Sequence, residues 1–454
     1  MNRLSFLLVY ALTVLSIFLT PNSPFAAQEY TLTELYKLAL ERSETILIAV
    51  ENIYISEQEK DKTMSKLLPT LSTTGSYKRY GEEKHGLQPE YTTSWGLKLE
   101  QSLSTGGREI TAYRISKDKI SKSRYELDAV KEEYLLDVAS AYYSVLKSKK
   151  ELDIARANVE RLTKHRDATK TRFEVGEVTK TALLRAEAEL SGAQSALIKT
   201  QNNLRLAKIT LAKIVGLSGE FEIKEQSGTG QTLNSELFKT ANCRPVTVDC
   251  LKERAISERV ELKALAVERK ISEDRVRYAD GGYWPTISLE SAYSRKEEHP
   301  ATSAINRESV YATLTLNFPF FEGGLRRAEV REARAKLKQT GYRLSDLKKS
   351  ISVDVENAYL SMVTESEALR KLEAQAVYAR DNYNAVSRQF EYGLASSVDV
   401  MDANTLLVTA ERQLATGRLD YQLTILKLQR AMGILLKIVT SQQSTVVSQG
   451  DKEK

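Results

Sequence analysis

The chain repeats itself, and the repeat limits every fold open to it. Leu68-Pro69-Thr70-Leu71-Ser72 returns 216 positions later as Trp284-Pro285-Thr286-Ile287-Ser288. From Gly106-Gly107, matched by Gly323-Gly324, the offset becomes 217 and holds to the end. Ala141-Tyr142 pairs with Ala358-Tyr359, Phe173-Glu174-Val175-Gly176 with Phe390-Glu391-Tyr392-Gly393, and Gly216 with Gly433. One unit of roughly two hundred residues has been duplicated in tandem. Any architecture must therefore use the same unit twice.

Each unit begins with a helix, expected over 31–66 and 247–281, and then enters a strand directly after its proline. In the first strand, about 70–80 and 286–296, Leu71, Thr73, Gly75 and Tyr77 oppose Ser72, Thr74, Ser76 and Lys78; Ile287, Leu289, Ser291 and Tyr293 alternate likewise. A second strand covers 91–103 in one unit and 308–321 in the other. Val310, Ala312, Leu314, Leu316, Phe318 and Phe320 share one of its faces, and Tyr311, Thr313, Thr315 and Asn317 the other. Alternation with period two makes strands with one apolar and one polar side. The glycine pairs Gly106-Gly107 and Gly323-Gly324 follow at once, as hinges where the backbone turns sharply into helix.

Proline is absent between Pro89 and Pro245 and after Pro319, so two long tracts are free to run as unbroken helix. The first, Arg108 to Glu174, spans about 100 Å at the standard rise. Gly176 and Gly393 end these helices as left-handed turn residues. The returning helices carry a heptad column, Leu183, Leu190, Leu197, Leu204 and Leu211, copied as Val400, Leu407, Leu414, Tyr421 and Leu428. Beside it lies a column of small residues, Ala186, Ala193 and Ala207, then Ala403, Ala410 and Gly417. Such a seam brings helices close together in a coiled coil.

Arg3, the apolar run to Leu19 and the small residues before Ala27 read as a secretory signal over 1–27. Export favours a disulfide between Cys243 and Cys250. Charges of both signs are interspersed within a formal net charge of +6, the pattern of solvated helix faces rather than of a nucleic-acid stripe. There is no triad, no phosphate loop, and no ligand cluster beside the scattered His85, His165 and His299, so neither an enzyme, a cofactor nor a metal is expected.

Four two-faced strands with aromatics near their ends suit an outer-membrane barrel, yet four cannot close one, and open edges are not tolerated in lipid. Several chains must close it together, with Ser94, Lys98, Glu100, Thr313, Thr315 and Asn317 facing a water-filled lumen. Over nearly the whole mature chain the sequence resembles the TolC-type outer-membrane efflux proteins. The duplicated Pro-Thr-Leu/Ile-Ser entry, the run Phe318 to Arg327, and Phe390 to Ala403 carry the likeness.

That resemblance implies an α+β membrane protein: a trimer with a twelve-stranded β-barrel in the outer membrane and a periplasmic α-barrel of coiled-coil hairpins. Repeat one would occupy 28–216 and repeat two 247–436, with an equatorial segment at 217–246 and a polar, loose tail at 437–454. It implies an outer-membrane exit duct of a tripartite efflux or type I secretion system, working with a periplasmic adaptor (a membrane fusion protein) and an inner-membrane pump driven by protons or ATP. The hairpin tips, with Arg172, Phe173, Gly176, Phe390, Gly393 and Ser396, become the adaptor-docking points. Asp399 and Asp402 match positions that line the pore entrance, where clustered carboxylates favour cations; both also read as helix-start acids. The sequence departs from the family where some relatives latch the entrance with Asp, Tyr and Arg, since the matching positions hold Ala182, Phe390 and Ala395. A periplasmic coiled-coil adaptor or scaffold without a pore is the competing reading, and it predicts no two-faced strands.

Overall fold

The structure is a computed structural model that describes residues 28–81, 88–225, 247–301, 307–318 and 320–441. The chain forms two compact units, each assembled from separate stretches of sequence. One unit holds the sheet. Strands β2 (Thr70–Arg79), β3 (Tyr91–Ser104), β5 (Thr286–His299) and β6 (Glu308–Asn317) make an antiparallel sheet in that order. Its register places Leu71 beside Leu99 and Ser291 beside Ala312, and joins Leu97 to Tyr293 and Tyr293 to Val310. The apolar positions of all four strands thus lie on one face, because a single register serves each pair without a slip. Strands β2 and β6 are the sheet's two edges.

Three helical layers belong to the same unit: α2 (Glu44–Ser65), the first part of α3 (Arg108–Glu174), and α6 (Val260–Asp280). Ion pairs tie α3 to both neighbours, through Lys119 to Glu59, Lys122 to Glu268 and Lys270 to Asp118. The early part of α7 (Leu325–Glu391) joins α5 (Val248–Glu258), α6 and the end of α8 (Ser397–Ala431) around Leu251, Leu262, Ile351, Val355, Ile425 and Leu428. Gly106 and Gly281 touch backbone to backbone, and a Cβ at Gly106 would lie 2.4 Å from the Gly281 carbonyl oxygen. Of the hinge glycines, Gly107, Gly323 and Gly324 take positive φ. Gly106 is needed for close approach instead.

The other unit contains β1 (Gln28–Tyr30) paired in parallel with β4 (Phe221–Ile223), helix α1 (Leu32–Arg42), the later part of α3, α4 (Lys180–Val215), the last third of α7 and most of α8. Leu35, Tyr36, Tyr142, Tyr143, Leu211 and Val215 are fully or almost fully buried there. The Tyr142 hydroxyl donates to the Lys224 carbonyl at 2.8 Å, so the buried phenol keeps a partner. Leu162 packs on Leu190 and Ala193, and Ala376 and Ala379 pack on Leu407 and Ala410, which are the leucine and alanine columns of the heptad seam.

Several boundaries differ from expectation. Each opening helix is two helices. Ser43 breaks the first as an N-cap accepting from the Ile46 N–H, and Arg259, at the matching position, breaks the second with extended ψ. Strand β6 stops at Asn317 rather than reaching 321, because β5 begins opposite it at Thr286; the Phe320 N–H turns back to the Phe318 carbonyl. The tail starts later than 437: residues 435–441 are helical and bury Ile438 and Val439. Strands β1 and β4 were too short to leave a periodic signal. The signal segment 1–27, most of the equatorial segment (226–246) and Cys243 lie outside the described residues, while Cys250 packs beside Leu251 and Ala255.

Where α3, α6 and α8 meet the 435–441 helix, Glu132 is 4% exposed, and its Oε1 accepts from the Leu436 N–H at 3.1 Å. Arg430 reaches Glu133 at 2.7 Å and Glu261 at 3.0 Å, and Arg259 reaches Asp354 at 3.2 Å. Burial pushes the Glu132 carboxyl up to about 7 despite the nearby arginines. A raised carboxyl binds its proton more tightly when folded, so its stability contribution is complete at acid pH and is lost as pH rises from the unfolded value towards 7. Glu132→Gln keeps the carbonyl acceptor and removes the titration. Chemical denaturation at pH 8 should show the variant more stable by roughly 1–3 kcal/mol, with the difference shrinking towards pH 5.

Candidate functional site

The polar face of the sheet is built to hold water. Lys98 on β3 lies 3.0 Å from both Glu100 and Glu290, and the Tyr311 hydroxyl donates to Glu290 at 2.9 Å. A continuous polar chain therefore crosses β3, β5 and β6. Hydroxyl pairs flank it, Ser76 with Ser94 at 2.8 Å and Ser294 with Ser309 at 2.7 Å. On the opposite face Leu71, Val310, Leu314 and Leu316 are each more than 60% exposed. Aromatic contacts gather towards one end of that face, Tyr77 on Tyr91, Tyr91 on His299, and Trp95 edge-on to Tyr293. An exposed apolar band with an aromatic rim, backed by a charged face, is the two-sided surface of a barrel wall between lipid and water. Among the described residues no helix is long and apolar enough to cross a membrane.

The second region is the pair of hairpin tips. Helix α3 closes on Gly176, whose N–H bonds the Phe173 carbonyl while Glu177 N–H bonds that of Arg172. Helix α7 closes identically on Gly393, through the Phe390 and Gln389 carbonyls. These paired bonds satisfy the last carbonyls of each helix, and positive φ at both glycines permits them. Ser396 then opens α8 with a reciprocal cap. Its hydroxyl accepts from the Asp399 N–H at 3.2 Å, and the Asp399 carboxylate accepts from the Ser396 N–H at 2.8 Å and hydroxyl at 2.7 Å. Those bonds hold the Asp399 carboxyl below its usual range.

Behind the tips the two hairpins are joined by a polar ladder. On α3, Asn158, His165 and Arg172 recur every seventh residue; on α8, Ser397, Asn404 and Glu411 do the same. His165 Nε2 and the Ser397 hydroxyl are 2.8 Å apart. Asn404 donates to Asn158 at 2.7 Å and accepts from Arg161 at 3.0 Å, and Arg161 also pairs with Glu411 at 3.6 Å. Arg172 donates to the Glu391 carbonyl at 2.7 Å and lies over the Phe390 ring, which His165 also touches. Ser397 and Asn404 are each only 4% exposed, so their polar groups are matched inside a buried seam.

A model described as outer membrane efflux protein matches residues 35–217 and 251–434, one copy over each repeat. The chain belongs to the outer membrane efflux protein family. It is similar to the outer membrane protein TolC of Vibrio cholerae, 24% identical over 89% of this chain and 91% of that one. It is also similar to the alkaline protease secretion protein AprF of Pseudomonas aeruginosa, 22% identical over 88% and 84%. Among solved structures, VceC of Vibrio cholerae superposes with a TM-score of 0.72 at 15% identity, covering 88% of this chain and 96% of that one. This family member is thus an outer-membrane protein that forms an exit duct of efflux or secretion systems, with helical hairpins of an α-barrel and strands of a β-barrel.

Within that frame the expected tip residues divide. Phe173, Gly176, Gly393 and Ser396 are exposed, whereas Phe390 is buried at 4% and serves as the platform for Arg172 and His165. Phe390 is therefore not offered to a docking partner, and Arg172 is committed to its own chain. The apolar groups that do stand out at the tips are Val175, Tyr392 and Leu394, at 67, 80 and 79% exposure. Their solvent-facing place after each helix stop was a readable sign, because apolar residues in a turn bury nothing locally. The polar ladder was readable too, as a third heptad column beside the leucines.

Replacing Asn404 with Leu should leave Asn158 and Arg161 without their partner inside the seam, costing about 1–3 kcal/mol. A lower midpoint for loss of helical circular dichroism on heating would show it, and Thr405→Leu, on the exposed side, should leave the midpoint in place.

Proposed function

We propose that three copies of this chain assemble into one duct, with the polar face of every sheet lining its lumen, and that a periplasmic adaptor and an inner-membrane pump deliver cargo to its hairpin tips. The polar chain Glu100–Lys98–Glu290–Tyr311 on a sheet whose other face is bare apolar surface carries this reading, since only a closed barrel gives both faces the medium they need. Three chains supply twelve strands, within the even-numbered range of such barrels. Val175, Tyr392 and Leu394 form the apolar knobs on which the adaptor docks, with Phe173, Gly176, Gly393 and Ser396 shaping the turns beneath them. The duct is passive, and the pump, proton-driven or ATP-driven, supplies the energy.

Asp399 and Asp402 ring the entrance in this reading. Asp399 is already spent on its cap, so Asp402, exposed one turn further along α8, contributes the freer charge. The hairpins of each chain are locked by the ladder of Asn158, His165, Ser397 and Asn404 in place of the Asp, Tyr and Arg latch of some relatives. Single-channel recordings in planar bilayers test both parts. Wild type should conduct with preference for cations, and Asp402→Ala should weaken that preference more than Asp399→Ala does. Equal selectivity in all three proteins would remove the carboxylate ring from the mechanism, and absence of any pore would overturn the duct.

A further inference from the structure

The apolar face of the sheet carries charge at one end only, and the register gives its depth. The four strands meet the helical segments at Thr70, Ser104, Thr286 and Asn317, so their other ends, at Arg79, Tyr91, His299 and Glu308, lie on the exterior side. Moving outward on that face, the rows of Ile287, Leu289, Ser291 and Tyr293 carry no charged side chain. The next row is Gly75–Trp95–Arg295–Glu308, and the one beyond it Tyr77–Thr93–Glu297. From Ile287 to Arg295 is eight residues. That is about 26 Å of strand and roughly 20 Å of depth at the usual tilt, so the first charged row stands near the outer limit of an apolar band about 25 Å tall.

At that row the surface opens. Gly75, Tyr77, Thr93, Trp95, Arg295 and Glu297 line a cleft of about 510 Å³, within the roughly 300–1,000 Å³ of small-molecule sites. Gly75 makes the room. It does not take a positive φ, and a Cβ there would meet nothing nearer than the Ser94 carbonyl at 4.0 Å. Neither backbone geometry nor packing within the chain calls for glycine, and glycine inside a strand marks a place where something else comes close. Trp95 beside it is 49% exposed and Tyr77 63%. Directly across the strand from Trp95, the Arg295 Nη2 and Nε donate to Glu297 at 2.7 and 3.0 Å, and Nη1 to Glu308 at 3.5 Å. A guanidinium has five N–H groups in a fixed plane, so among the described residues two are left to donate.

We propose that this cleft binds a neutral sugar ring in the headgroup of an outer-leaflet glycolipid. Depth selects a lipid, because the cleft opens on the apolar face at headgroup level, away from the lumen. Charge selects hydroxyls over phosphate. Arg79 is paired with Glu90 and Arg295 with Glu297 and Glu308, so the cations are outnumbered and no surplus positive charge attracts an anionic headgroup. Paired side chains instead offer donors and acceptors side by side, as a polyhydroxyl requires. The exposed indole selects a ring. Its negative π-face attracts the slightly positive C–H groups that line one side of a sugar. An ordinary interfacial belt needs amphipathic aromatics alone; it needs neither a glycine gap nor a fixed ion pair beside them.

The chain has two tryptophans, so Trp284→Phe leaves Trp95 as the sole indole reporter. The full-length variant, purified in detergent at its native size, is titrated with micelles carrying a lipopolysaccharide of short sugar core while acrylamide quenching of Trp95 is followed. Lipopolysaccharide should shield Trp95 saturably, and phosphatidylglycerol at the same mole fraction should not. Gly75→Leu, which fills the gap, and Arg295→Gln, which removes the charged donors, should each weaken the apparent affinity about tenfold in the same background. If one variant fails to assemble, the other and the lipid comparison decide. Absence of shielding overturns the inference, as does equal shielding by phosphatidylglycerol, which would mark a headgroup belt without selectivity. Equal shielding by the deacylated core saccharide overturns the lipid source, and unchanged affinity in both variants removes the site from this cleft. The inference uses the place of the sheet in the outer membrane and not the number of copies, so the conductance recordings are scored apart from it.

Discussion

Hydrogen bonding at the sheet edges is the constraint on which this protein depends. Lipid offers no partner to a strand's N–H and C=O groups, and each one left bare costs several kcal/mol. A sheet of four strands, two of them edges, cannot meet that demand alone. The duplication answers part of it, because the second strand of repeat one, β3, pairs with the first strand of repeat two, β5, and leaves only β2 and β6 as edges. The conserved register between β2–β3 and β5–β6 is the record of that arrangement. At the β6 edge Leu314 and Leu316 stand bare on the apolar face.

Away from the sheet the burden passes to helix packing. Alpha-helices of sixty-seven residues satisfy their own backbones, so what remains is to hold neighbours in place. Leucine and alanine columns do this along α4 and α8. The polar ladder adds a condition that apolar columns cannot impose: Asn158 must meet Asn404, and His165 must meet Ser397, or buried polar atoms lose their partners. Leucine tolerates a sliding neighbour far better than an amide does. A seam of this kind fixes the axial register of the hairpins, and with it the relative heights of Val175, Tyr392 and Leu394 at the two tips.

The repeats are alike in backbone and unlike in chemistry. Both hairpins stop on a left-handed glycine and both sheets' halves share one register, yet only repeat two carries the Ser396–Asp399 cap, where repeat one has Thr179 capping Ala182 with no acid. Similarly Ser43 and Arg259 break equivalent helices for different reasons. Ser43 caps its helix locally, whereas Arg259 sits against Gly433 and reaches Asp354. Duplication preserved the geometry that the barrel requires and let the charged residues diverge where each half meets a different neighbour.

The sequence by itself determined the tandem repeat, the two-faced strands, the great helices with their ends at Glu174 and Glu391, and the heptad columns. Each is a periodic signal or a glycine or proline stop, written in neighbouring residues. Tertiary structure alone decided that Phe390 is a buried platform, that Arg172 turns inward to the Glu391 carbonyl, that Glu132 is enclosed by α6, α8 and the 435–441 helix, and that residues 437–441 pack rather than trail. It also placed β1 beside β4, nearly two hundred residues away, in strands three residues long. Those outcomes depend on which side chains meet across long separations in sequence, and burial, not local propensity, sets the chemistry of a carboxyl or an arginine once they meet.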